Sequence, residues 1–282
     1  FIKMAALSPD RQKGEKDDLF SLAEANNARE FHKKLNGYAP TPLHQLDHLA
    51  ETLGISGFYV KDESFRFGLN AFKGLGGSYA LGKVIAEKTG KSADSLSDIP
   101  AGAFTFVTAT DGNHGRGIAW AAKNLPQNSV VYMPKGSAKE RFENIQALGA
   151  HTEITNFNYD DTVRFAMEQA QKNHWTLVQD TAWEGYEDIP SYIMQGYMTM
   201  ALEAAEQLGG TIPTHIFLQA GVGAMAGAVT GFFYNYYKEN MPTIVIVEPN
   251  KADCLYQTAA ANDGKLHRVG GAHDSIMAGL CC

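Results

Sequence analysis

The sequence predicts an α/β protein of two packed units, each built on an open parallel sheet, with a cleft between them. Three observations carry that expectation. Short apolar segments alternate with amphipathic helical stretches from 104 to 179, a second alternation runs from 190 to 248, and two glycine-rich turns fall where a strand hands over to a helix. Such alternation favours parallel pairing with helices covering the sheet. At 282 residues, 44% hydrophobic, the chain can bury a substantial core.

The elements follow in order. Residues 1–36 are polar and charged, with an amphipathic pattern in SLAEANNAREFHKKL at 21–35, and read as an arm or outer layer. The two prolines of YAPTPL at 38–43 predict a rigid turn. A strand is expected in GFYVK at 57–61, then a glycine-bearing loop, then a helix over 72–87. Residues 92–102 read as a linker or loop. The smaller unit, 101–189, is expected to hold strands at 104–109, 129–133, 152–155 and 175–179 with helices at 113–124, 137–147 and 159–172 between them. The larger unit joins 37–100 to 190–282, where a long helix over 190–208 precedes a strand at 215–219, a helix over 223–237 and a strand at 243–248.

Composition excludes several classes. Lys and Arg total 24 against 31 Asp and Glu, a net charge of −7 without a long basic run, which argues against phosphate-driven nucleic-acid binding. No charge-free stretch of spanning length and no signal peptide are recognisable, so no membrane partner is expected and the cytoplasm is the default location. The three cysteines, Cys254, Cys281 and Cys282, form neither a disulfide framework nor a CxxC site, although a Cys254–Cys281 pairing stays open. Opening on Phe1 and stopping at GLCC, the chain is expected to be a piece of a longer polypeptide. The nine histidines make no HExxH or compact metal cluster, and no serine occupies a GxSxG elbow.

Three segments carry the chemistry. KDESFRFGLNAFKGLGGSYA at 61–80 sets Lys73 at the start of a helix behind a glycine-studded turn. QAGVGAMAGAVTG at 219–231 follows a strand and opens a helix, where backbone N–H groups and the positive helix end can hold a phosphate. TATDGNHGRGIAW at 108–120 adds polar groups at a third strand-to-helix turn. Together they suggest a covalently held aldehyde cofactor gripped at its phosphate end, because an amine attacking an aldehyde must be partly deprotonated, which desolvation and a positive helix end favour. Each feature also has a plainer reading: Lys73 as a surface lysine, the glycine turn as packing, and Asp111 or Asn113 as a helix cap. A dinucleotide reading competes at GVGAMAG, with Glu248 ending the next strand as a ribose carboxylate, but it leaves the lysine segment unexplained. A Walker A loop lacks its Lys-Ser or Lys-Thr pair.

The joint pattern of NAFKGLGG at 70–77, TDGNHGRG at 110–117 and GVGAMAG at 221–227 resembles the tryptophan-synthase-β-like, fold type II pyridoxal-phosphate enzymes. Within them it is most similar to the diaminopropionate ammonia-lyases, with YMPKGSA at 132–138, VQDTAWEGY at 178–186 and VEPNKADC at 247–254 in keeping. The resemblance covers nearly the whole chain after the arm. It implies pyridoxal 5'-phosphate in the cleft, bound by the larger unit, with Lys73 as its covalent anchor and Asn113 on its ring oxygen. The phosphate loop would comprise Gly221, Val222, Gly223, Ala224, Met225 and Gly227. Asp111 stands where the threonine-deaminase pattern has a small hydroxyl residue, and the resemblance casts it as the base for the D isomer, Lys73 as the base for the L isomer, and Asp180 as the partner of a substrate ammonium. His114, WEGY at 183–186 and QGY at 195–197 read first as structural, with a cofactor contact by His114 as a second reading. The expected reaction is elimination of ammonia from 2,3-diaminopropionate, a small amino-acid substrate, by a homodimer, without a metal. A serine or threonine dehydratase, or an inactive or structural cofactor-binding piece, are the alternatives. Family members extend beyond the position of Cys282, where they complete the cofactor's surroundings.

Overall fold

The structure, a computed structural model, describes residues 3–5, 17–110, 112–270 and 275–280. Helix α3 (Lys73–Thr89) is buried along most of its length and organises the main hydrophobic core. Three helices pack on it: α1 (Leu22–Lys33), α4 (Asn113–Asn124) and α7 (Asp188–Gln207). Small residues set how close they come. A Cβ on Gly76 would fall 2.5 Å from the Tyr197 ring, and one on Gly196 would fall 2.6 Å from the Leu75 carbonyl oxygen, so α3 and α7 meet nearly backbone to backbone. On the other flank a Cβ on Gly117 would sit 2.9 Å from the backbone carbonyl of Lys73. Leu75, Leu81, Ile85, Ile118, Ile193 and Met198 fill the space between these contacts.

Residues 105–177 hold a parallel sheet of β3 (Thr105–Ala109), β4 (Asn128–Met133), β5 (His151–Ile154) and β6 (Thr176–Leu177), in the order β5-β4-β3-β6. Helices α4, α5 (Lys139–Gln146) and α6 (Tyr159–Asn173) connect the strands. The expected strand at 175–179 shortens to two residues for an identifiable reason. Val178 N still donates to Val107 O, but Gln179 N turns to the Tyr186 hydroxyl at 2.8 Å, which itself donates to Leu177 O. Tyr186 stacks on Trp183, so WEGY closes the end of this strand.

The segments on either side of this sheet depart further from expectation. Their parallel sheet, among the described residues, is the pair β7 (His215–Gln219) and β8 (Thr243–Val247), with α8 (Ala224–Tyr237) between them. The proline-bearing segment expected to be a turn enters β1 (Leu43–Gln45), which pairs antiparallel with β2 (Tyr59–Lys61), since prolines at 40 and 42 hold the backbone extended. Two helices were not expected, α2 (Asp47–Leu53) and α9 (Cys254–Ala261), and residues 93–98 of the expected linker form a short 3-10 turn. Among the described residues no helix is long and apolar enough to cross a membrane.

The loop leading to Lys73 is fixed by ion pairs rather than by strands. Arg66, fully buried, donates to Glu203 of α7 at 2.7 Å, to Glu63 at 2.8 Å and to Ala39 O at 3.1 Å. Lys61 donates to the same Glu203 at 2.8 Å and to Thr41 O. Burial works to raise the Glu203 pKa, but Arg66 and then Lys61 outweigh it and hold the carboxyl below its ordinary value. The charged run KDESFR is therefore an anchor for the site loop.

His32 ties α1 to the same core. Its Nε2 donates to Leu75 O at 2.9 Å and its Nδ1 accepts from the Thr199 hydroxyl at 2.8 Å. Burial above all, with some help from the Arg66 charge, pushes its pKa down to about 3. The unfolded chain binds a proton here below its ordinary value of 6.5 and the folded one does not. Stability must then fall as pH falls from there toward about 3, by up to about 1.4 kcal/mol per pH unit. Denaturant unfolding between about pH 7 and 5 is expected to show that slope in the native chain and its loss in His32→Gln; equal slopes would remove His32 as the titrating group.

Candidate active site

The strand order of the four-stranded sheet reverses between β3 and β6, so the loops leaving their carboxyl ends run apart and open a crevice. Thr110 leaves β3 and Asp180 follows β6. Both line a cavity of about 850 Å³, with Lys73 and the residue 221–223 loop on its other walls. Asp111 lies outside the described residues.

Lys73 enters the cavity as the first residue of α3. Its backbone carbonyl lies under Gly117, and the preceding loop is held by Arg116, whose Nη1 donates to Leu69 O at 2.9 Å. Phe67 stacks on Trp120 of α4 with ring centres 4.1 Å apart, closing the same junction. The Lys73 ammonium donates to Asp180 Oδ2 at 2.6 Å and lies 5.6 Å and 5.8 Å from the ring centres of Phe72 and Tyr197. Asp180 is 9% exposed. Burial alone would raise its pKa, but Lys73 and then His114 overcome that and hold the carboxyl well below the usual range. It is an anion with a tightly bound cation.

Sequence QDTAW thus delivers its aspartate into the site, and Gln179 beside it faces the other way. The Gln179 side-chain oxygen accepts from Ala109 N at 2.9 Å and from the Thr108 hydroxyl, lashing the two diverging strand ends together. Asn113, the first residue of α4, lines the cavity and makes no capping bond to its own helix; Gly112 occupies the cap position. His114 is buried, its Nε2 2.9 Å from Val178 O and its Nδ1 3.7 Å from Asp180 Oδ2.

Opposite Lys73, Gly221, Val222 and Gly223 bridge β7 to α8. The first intrahelical bond of α8 runs from Gly227 N to Gly223 O, so the N–H groups of Ala224, Met225 and Ala226 have no helical partner at the cavity wall. Gly223 has φ +92, where a side chain would be strained. Gly227 does not line the cavity: a Cβ there would fall 2.9 Å from Met194 Cε, so its smallness serves the packing of α8 on α7. Glu248 is likewise committed elsewhere. Its carboxylate accepts from Leu255 N at 2.9 Å and Tyr256 N at 2.8 Å, capping α9, which leaves the ribose reading without its acceptor. Cys254, a free thiol, points to Gly221 O and Glu248; Cys281 and Cys282 lie outside the described residues.

These residues fit a phosphorylated aldehyde. An amine stands at one wall, helix-start amides without a helical partner stand at another, and among the described residues no acidic side chain lines the loop that would meet the phosphate. Among the described residues, no group of three or more His, Cys, Asp or Glu side chains is placed to hold a metal ion. Sequence reasoning missed Tyr197 under Lys73, the wall formed by Ser275, Ile276 and Met277, and the His114–Asp180 approach.

Comparison with known proteins agrees with this geometry. The family described as pyridoxal-phosphate dependent enzymes matches residues 34–282. The chain belongs to this family, in its diaminopropionate ammonia-lyase group. A diaminopropionate ammonia-lyase of Salmonella typhimurium is 55% identical over 277 residues, 93% of this chain and 69% of that one. The solved holo diaminopropionate ammonia lyase of Escherichia coli superposes with a TM-score of 0.87 at 50% identity, covering 99% of this chain and 69% of the other. A threonine dehydratase of Haemophilus influenzae is more distant, 26% identical over 225 residues, 80% of this chain and 38% of that one. The fold is that of the fold type II pyridoxal-phosphate enzymes, as sequence analysis expected.

Gly117→Ala tests the junction that positions Lys73 in this pyridoxal-phosphate enzyme. The added methyl meets backbone, which cannot rotate away. The variant is expected to lose about 1–3 kcal/mol of stability and at least about tenfold in pyridoxal-phosphate affinity, read by thermal unfolding and absorbance titration. Wild-type values for both would show that α3 and α4 have room to spare.

Proposed function

We propose that the site eliminates ammonia from 2,3-diaminopropionate, leaving pyruvate and a second ammonia after hydrolysis of the released product. The observation that carries this reading is the Lys73–Asp180 pair: an amine that can anchor an aldehyde lies 2.6 Å from a buried carboxylate suited to a second, substrate-borne ammonium. Pyridoxal phosphate supplies the electron sink that takes up the pair left on the substrate's α-carbon. Lys73 would hold its aldehyde carbon, Asn113 its ring oxygen, and the amides from Gly221 to Met225 its phosphate.

Asp180 grips the β-ammonium and fixes which carbon–nitrogen bond lies in line for cleavage. The bond's electron pair leaves with nitrogen, so the group departs as neutral ammonia and needs no added proton. The α-proton passes to a base on either face of the substrate, Lys73 for the L isomer and Asp111 for the D isomer. Burial of Asp180 excludes water from the pairing and strengthens it. A homodimer in the cytoplasm acting on a free amino acid belongs to the same reading, supported by membership of the ammonia-lyase group.

A dehydratase of this family would expel hydroxide from serine or threonine. A neutral hydroxyl offers the Asp180 carboxylate no ammonium when Lys73 is engaged, so the pairing that favours the diamine, worth about 3 kcal/mol, is lost. Assays with D- and L-2,3-diaminopropionate, serine and threonine are therefore expected to give two ammonia per pyruvate from the diamine. Its kcat/KM should exceed that for serine by about 10²-fold. Preference for serine with no turnover of either diamine isomer would reject the assignment.

A further inference from the structure

His114 is the buried titratable group of the site to which the elimination gives no task. Val178 O, 2.9 Å from Nε2, can only accept, so Nε2 carries the ring hydrogen. In the neutral ring Nδ1 is then a bare lone pair. It has no hydrogen-bond partner among the described residues and faces Asp180 Oδ2 at 3.7 Å. A lone pair against a carboxylate is repulsive unless a proton lies between them. Here the repulsion is offset because Oδ2 also accepts from the Lys73 ammonium.

The groups that face the ring come from three elements: Asp180 after β6, Lys73 at the start of α3, and, beyond Lys73, Tyr197 of α7. Asp111, three positions before His114 in the sequence, lies outside the described residues. Burial first, and the Lys73 charge after the opposing pull of Asp180, keep the imidazole neutral in this arrangement. If the Lys73 nitrogen becomes neutral, Asp180 loses its cation and burial alone is left to oppose its pull on His114. A buried carboxylate then faces a buried base at 3.7 Å, so a shift of under an ångström would let one proton bridge them.

We propose that His114 is the positioning residue for Asp180: when the Lys73 nitrogen is uncharged, one proton enters from solvent and is shared between Nδ1 and Oδ2, holding the carboxylate in place until another ammonium pairs with it. The bookkeeping of charge closes. One positive charge is lost at Lys73 and one is gained at the His114–Asp180 pair; arrival of a cationic substrate group releases that proton again. His114 makes and breaks no bond to carbon. The nature of that incoming ammonium rests on the elimination reading above, whereas the protonation of His114 does not.

Nitrogen-15 spectra of the histidine rings in the full chain at about pH 7 test this. They would be recorded in the native chain without cofactor and in Lys73→Ala, with His114 assigned from its absence in His114→Gln. In the native chain the ring is expected as the neutral Nε2–H form. In Lys73→Ala the resonance of an unprotonated Nδ1 is expected to be lost, with both nitrogens protonated. Should Lys73→Ala fail to fold, Lys73→Met, which keeps the apolar length of the side chain without its charge, decides in its place. A neutral ring that is unchanged in the Lys73 variant overturns the proposal even if the native chain forms pyruvate and ammonia, and failure of the native chain to form them overturns the elimination reading without touching the ring result.

Discussion

The close approach of α4 to the first residue of α3 is the constraint on which the site depends. Gly117 leaves no room for a side chain against the Lys73 backbone, and Gly196 does the same for α7 against Leu75. Two helices thus grip α3 from opposite flanks within its first turn. One of them begins at Asn113 and His114, so the contact that fixes Lys73 also fixes the polar groups on the other side of the crevice. Packing of this kind tolerates little adjustment, because neighbouring backbone cannot move aside as a rotamer does.

On that frame the electrostatics are simple. A buried carboxylate needs a cation: Asp180 has the Lys73 ammonium in the arrangement seen here, and the proposed function gives it a ligand ammonium when Lys73 is engaged elsewhere. The second buried network, Arg66 with Glu63 and Glu203, serves stability and placement instead. It pins the loop before Lys73 to α7, and Arg66 is paired with both carboxylates.

Much of this was legible in the sequence because the signals were local. Periodicity marked α3, α4, α6, α7 and α8 to within a few residues, and glycine turns after apolar strands marked the two helix starts that line the cavity. What was not legible depended on partners distant in sequence. The shortness of β6 follows from the Tyr186 hydroxyl taking Gln179 N, and the strand-order reversal that opens the crevice has no sequence signature. Glu248 matched a ribose carboxylate by position, yet it caps α9, a helix too short and too weakly patterned to foresee. Gly227 matched the phosphate loop by spacing and instead admits Met194. The run KDESFR was read as part of the lysine segment, although its charges close on Glu203, 137 residues beyond Arg66.

The central claim is that this packing brings one particular amine to the point where the cavity walls converge. Borohydride reduction of the chain in the presence of pyridoxal phosphate, followed by peptide mass mapping, reads that out directly. The phosphopyridoxyl mass is expected on the peptide carrying Lys73 and on no other. Modification of Lys135, the other lysine lining the cavity, in place of Lys73, or absence of a labelled peptide, would contradict the account.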